Sequence, residues 1–206
     1  MEKHVCGAVG FAQRVFQKIE RKSDVKKIFL SLLLTFCAVP AFAQGNPAMQ
    51  NPKQVKQIGV FDDWTAYIYE TKKEKVCYVA SMPFKSAGEY TRRGDVFLMV
   101  SHRPKEDLFD VLTVVAGYMY MPRSEAVFRV GTLKANLFTH QDTAWAKNLR
   151  TDSEIAEQMN KGVRATLRGT SIENVETYDT FSLKGFNNAM DAINRLCRTK
   201  QSASKS

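Results

Sequence analysis

The chain is 206 residues long and carries 30 Lys and Arg against 21 Asp and Glu, a formal net charge of +9. Seven of the basic and three of the acidic residues fall within the first 43 positions, so the balance of the remainder drops to +5. That surplus is mild and suits a solvated surface; it argues against a dedicated nucleic-acid binder. No stretch after residue 43 is apolar for long enough to span a membrane, and no internal repeat or second domain is visible.

The first element is an export signal. Lys26 and Lys27 precede twelve uncharged residues, Ile28 to Val39, and then P-A-F-A-Q with small residues at Ala41 and Ala43. A basic flank, a short apolar run and a small-residue cleavage site are the parts of a secretory signal peptide. Twelve residues make a helix only about 18 Å long, short of a bilayer core. Cleavage after Ala43 would leave Gln44 as the new N-terminus. Residues 1–25 form an extended n-region and lie outside the fold reading. Phe36 before Cys37 makes a poor lipoprotein site, which wants a small residue there. The expected organisation is a signal over 1–43, a flexible leader over 44–57, one domain over 58–197 and a disordered tail over 198–206.

The leader is polar, with two Asn-Pro pairs. Trp64 to Glu70 alternates, placing Trp64, Ala66 and Ile68 on one face. After the charged turn T-K-K-E-K, Val76 to Met82 alternates again, and the two segments predict a hairpin. A polar loop with Arg92 and Arg93 leads to a strand over Val96 to His102. The β-branched and aromatic run Phe109 to Tyr120 predicts a strand with a bend at Gly117. Two short strands follow, A-V-F-R-V and G-T-L-K-A-N-L-F-T, and then a loop over 139–150. T-D-S-E-I-A-E-Q-M-N-K-G predicts a helix capped by Thr151 or Asp152 and ended by Gly162. V-R-A-T-L-R-G and T-Y-D-T-F-S predict two more strands. Phe186 to Leu196 predicts a helix, with Phe186, Ala189, Met190, Ile193 and Leu196 on one stripe. The fold class expected is mainly β, an antiparallel, jelly-roll-like sandwich with one or two short helices, one of them C-terminal; a partly closed barrel is the alternative.

The chemistry-bearing residues are few. Removing the signal also removes Cys6 and Cys37, leaving Cys77 and Cys197. An even number in an oxidising compartment points to a disulfide between them, with two free thiols as the alternative. His102 and His140 read as exposed loop histidines. His140 has Asp142 two residues on, but no spacing supplies the further ligands that zinc needs. Arg92 and Arg93 read as a turn paired with Glu89 and Asp95, or as a grip for an anionic group. Trp64 and Trp145 read as core rings, or as exposed binding rings. Asp62-Asp63 and Glu106-Asp107 read as solvated turn acids. No nucleophile elbow, S-x-x-K, phosphate loop or H-E-x-x-H is present. No cofactor or metal is expected, and no catalytic residue is assigned.

Several segments gain meaning together: D-W-T-A-Y, K-V-C-Y-V-A-S-M-P, R-R-G-D-V-F-L-M-V-S-H-R-P, V-A-G-Y, L-F-T-H-Q-D-T-A-W-A and Y-D-T-F-S-L-K-G-F-N-N-A, closed by Cys197. In this order and spacing, over residues 62–197, they resemble the invasion-associated locus B family of alphaproteobacterial exported proteins. The resemblance implies a signal-bearing, β-rich protein of the periplasm or cell surface, linked in some members to host-cell invasion. It brings no established catalytic mechanism. Some members look to have a further cysteine early in the Trp-bearing strand, where this chain has Tyr69. Ser171 to Glu176 is also poorer in Gly and Arg than in similar chains.

The function expected is therefore a non-enzymatic envelope protein, periplasmic or surface-associated. Its partner would be another macromolecule, an envelope or host-surface protein or a glycan, with a role in host-cell invasion or envelope integrity. The alternative is a periplasmic hydrolase or isomerase using His102 or His140 with nearby carboxylates.

Overall fold

A computed structural model describes residues 55–90 and 92–198. The expected signal over 1–43, most of the leader and all of the tail beyond Arg198 lie outside the described residues.

Strand β1 (Val55–Phe61) pairs antiparallel with β2 (Trp64–Glu70), Phe61 standing opposite Trp64. The two-residue turn between them holds Asp62 at φ 49°, a left-handed backbone that aspartate tolerates. Val55 to Gln57, which composition alone reads as leader, belong to β1, because Tyr69, Ile68 and Tyr67 of β2 pair with them. Val55 also packs beside Tyr67 and Tyr69, and Ile58 and Phe61 pack against the main core. β3 (Lys75–Ser81) completes the hairpin with β2. In the turn between them the Thr71 hydroxyl oxygen accepts from the Lys73 and Glu74 amides at 3.2 and 2.9 Å.

The polar segment after β3 contains one short strand, β4 (Lys85–Ala87), which sequence periodicity is too short to reveal. β5 (Phe97–Arg103) and β6 (Leu108–Val115) are joined by a single 3-10 turn at Pro104–Glu106. The strand expected to reach Tyr120 ends at Val115, and beyond it Tyr120 makes an isolated bridge to Ser171. Gly117 takes φ 72° there, and a Cβ on it would stand 2.3 Å from the Gly94 carbonyl oxygen. Only glycine permits that approach.

Next come β7 (Glu125–Val130), β8 (Leu133–His140) and β9 (Thr143–Trp145). Helix α1 runs Leu149–Lys161, beginning two residues before the expected start. Its cap is Asn148, whose side chain accepts from the Thr151 amide at 2.9 Å. Asparagine caps as well as threonine or aspartate, so the capping-box spacing chose the wrong residue. β10 (Arg164–Thr170) and β11 (Glu176–Ser182) form the last hairpin, and α2 covers Phe186–Cys197.

The mainly β, antiparallel class with two helices, one C-terminal, is as expected. The eleven strands hydrogen-bond as one continuous sheet in the order β1-β2-β3-β5-β6-β9-β8-β7-β10-β11-β4. The sheet folds over so that distant strands share one core. Trp64, Leu98, Val100 and Leu112 from its first half join Phe128, Leu137, Leu167 and Phe181 from its second. Ile155 and Met159 of α1 and Phe186, Met190 and Ile193 of α2 complete the cluster. α2 packs on β1, β2, β3 and β5, while α1 packs on β6, β7 and β8. A smaller cluster of Val76, Tyr78, Phe97, Met99 and Val115 occupies the opposite face of the first half.

Candidate functional site

Two polar clusters lie within the described residues, and each is built by strand parity. His102 follows Leu98 and Val100 at the inward spacing of β5 and is fully buried. The expectation of an exposed loop histidine is thus overturned, because β5 continues through Arg103 and carries His102 into the core. Its Nδ1 accepts from the Asp110 amide at 3.1 Å, so the ring proton sits on Nε2 and is donated to Asn194 Oδ1 at 2.9 Å. Both nitrogens are committed to internal bonds. Burial lowers the His102 pKa below its usual value, against the opposing pull of the Asp110 charge. The imidazole is therefore neutral at pH 7. The Asp110 carboxylate, 4.0 Å from Nδ1, turns instead to Arg198, whose guanidinium also lies 5.3 Å from the Phe109 ring centre.

Cys77 stands directly opposite His102 in the β3–β5 ladder and is bonded to Cys197, with the two Cα atoms 6.0 Å apart. The C-terminal end of α2 is therefore held to the sheet by three groups: Asn194, Cys197 and Arg198. Beside them Asp152 of α1 is buried and accepts from the Leu112 amide at 2.8 Å. Burial pushes its carboxyl up to about 7, and the Asp110 charge adds to the rise.

The second cluster surrounds Arg93. Its guanidinium binds Asp179 through two bonds, at 2.8 and 2.6 Å, and its Nε donates to the Ala116 carbonyl at 2.8 Å. The Tyr90 and Tyr118 ring centres lie 4.9 and 5.1 Å from the guanidinium carbon. Asp179 is fully buried and also accepts from the Ser86 hydroxyl at 2.7 Å. The expected partners of Arg93, Glu89 and Asp95, are replaced by a residue 86 positions away in sequence. A fork held in this way is occupied, so Arg93 offers no open grip for an anion. Arg92 is exposed.

Trp64 and Trp145 are both buried and present no ring to solvent. Trp64 donates to the Ser182 carbonyl at 2.9 Å and meets Phe186 edge-on, while Trp145 stacks on Phe138. His140 ends β8 and is exposed. Asp62 pairs with Lys184 at 2.9 Å. Among the described residues no three His, Cys, Asp or Glu side chains gather closely enough to hold a metal ion. No helix there is long and apolar enough to cross a membrane.

Sequence reasoning missed Asp179, Asp110, Asn194 and Asp152. A signal existed for the first: in T-Y-D-T-F, Asp179 shares parity with the core residue Phe181. None existed for the others, whose roles depend on contacts between distant segments.

The model of the family described as Invasion associated locus B (IalB) protein matches residues 64–194. The chain belongs to that family. No curated protein and no solved structure matches. The invasion associated locus B match opens on Trp64, the first residue of β2, and closes on Asn194, the partner of His102. It therefore takes in the Arg93 cluster whole and the His102 cluster up to Asn194, short of Cys197 and Arg198. Cys197, three residues past the match, is the terminal staple of the same domain.

Proposed function

We propose that this invasion associated locus B protein is exported and acts in the cell envelope by binding another macromolecule rather than by catalysis. In this reading it serves host-cell invasion or envelope integrity. The observation that carries the proposal is the family match over residues 64–194, whose description names invasion. The disulfide fits an oxidising compartment. His102, the better-placed histidine for acid–base work, spends both nitrogens inside the fold.

The test is protease treatment of intact bacteria beside an outer-membrane-permeabilised control. Digestion in intact cells places the protein at the surface and directs the search to host ligands. Digestion only after permeabilisation places it in the periplasm and favours envelope integrity. Resistance until the inner membrane is also broken would overturn export.

A further inference from the structure

The second half of the sheet turns its outer face to solvent, and the ladder registers fix what that face displays. One row crosses it as Lys134, Arg129, Thr166, Thr180 and Lys85, from β8 through β7, β10 and β11 to β4. The next row reads Asn136, Val127, Arg168, Tyr178 and Ala87. Arg164, opposite Ser182, lies one step beyond Thr166 on the same face. With strands about 4.8 Å apart, the first row spans about 19 Å.

The charge on this face is unbalanced. Lys134 and Arg129 are direct cross-strand neighbours, an arrangement that like charges make unfavourable. Among the described residues Lys85, Arg129, Lys134 and Arg164 are exposed and have no ion-pair partner. The face has acids only at its other end. There Glu125 is taken by Lys147 and Glu176 by Arg168. A fold gains nothing internal from opposing Lys134 and Arg129, so the pair calls for an anion from outside.

We propose that this face binds an acidic polysaccharide, its carboxylate or sulfate groups meeting Arg129, Lys134, Arg164 and Lys85. The inference rests on the binding reading above and names its partner class and surface. Four features favour a glycan over a lipid surface. The face is extended across five strands, as a polysaccharide chain is extended. Between the cations stand the hydroxyls of Thr166 and Thr180 and the amide of Asn136, which suit sugar hydroxyls. Tyr178 offers an exposed ring, held by its hydroxyl at Glu176, on which a sugar face can rest. Apart from Tyr178 no large exposed apolar side chain stands in these rows; Phe84 and Val163 are exposed beside them, next to Lys85 and Arg164. Arginine forks match carboxylate and sulfate through paired bonds.

The experiment is titration calorimetry at low salt with the protein purified from cells expressing the full-length sequence. The probes are polygalacturonate, dextran sulfate, uncharged dextran and phosphatidylglycerol vesicles. Binding to either acidic polymer but not to uncharged dextran is expected. Arg129→Ser with Lys134→Ser should weaken it by about tenfold or more. The same variant should melt no lower than the parent, because it removes a repulsion. Lys72→Ser with Lys73→Ser, at the distant β2–β3 turn, should leave affinity unchanged. Binding to the vesicles alone would assign the face to a membrane and overturn the proposal. So would no binding to the acidic polymers, or equal losses in the two variants. These readings use purified protein, so they stand whatever the protease experiment shows about export.

Discussion

Asp152 and His102 are buried titratable residues with opposite linkage to pH. The Asp152 carboxyl has a folded pKa of about 7 against an ordinary 3.8, so the folded state holds its proton more tightly. Its contribution to stability is full below about pH 4 and is lost as pH rises toward 7. A rise of that size corresponds to about 4 kcal/mol at most. His102 has a folded pKa below its ordinary 6.5, so its contribution is present above that value and is lost as pH falls. Between pH 4 and 7 the two trends oppose each other. Asp152→Asn keeps an oxygen for the Leu112 amide but removes the charge. The variant should melt higher than the parent at pH 8, and its melting temperature should fall more steeply on acidification. Parallel pH profiles for the two proteins would refute this account.

The segment between β4 and β5 has little apolar material of its own, and Arg93 pins it. The guanidinium ties that segment to Asp179 on β11 and to Ala116 just past β6, while Gly94 donates to the Gly117 carbonyl at 2.8 Å. Breaking a buried pair from one side strands a charge, at a cost of about 3–5 kcal/mol. Arg93→Ala should therefore lose about that much in urea unfolding. Arg93→Met combined with Asp179→Leu should recover most of it. A loss below about 1 kcal/mol for the single change would mean the pair is solvated and the segment held by other contacts.

Across the whole molecule, α2 closes the core and Cys77–Cys197 holds it there. The bond links residues 120 positions apart, so it restricts the unfolded chain strongly, by about 5 kcal/mol in the chain-entropy description. Changing both cysteines to alanine should lower stability by about that amount. It should also raise protease cleavage near the C-terminus before the sheet itself opens. The Asn194 and Arg198 contacts remain in that variant, so α2 should still dock at low temperature. Alkylation before reduction should label neither cysteine, and after reduction both.

Much of this architecture was legible in the chain itself. Two-residue alternation is a local property, and it placed β2, β3 and β10 within a residue or two, while short strand-like runs placed β5 and β11 as closely. The amphipathic stripe of α2 followed from spacing as far as Ile193, but Leu196, expected on it, is exposed and Cys197 is buried instead. The pairing of Cys77 with Cys197 followed from an even count once export was expected. Parity within a strand also sufficed, in principle, to turn His102 and Asp179 inward. The tertiary fold decided what each inward polar group would meet, because Asn194 and Arg93 reach them from segments more than 80 residues away. It also decided the pairing of β1 and β4, whose own residues carry no pattern. The cationic face was likewise invisible in the chain, since Lys134, Arg129, Arg164 and Lys85 come onto one face only when five strands enter register.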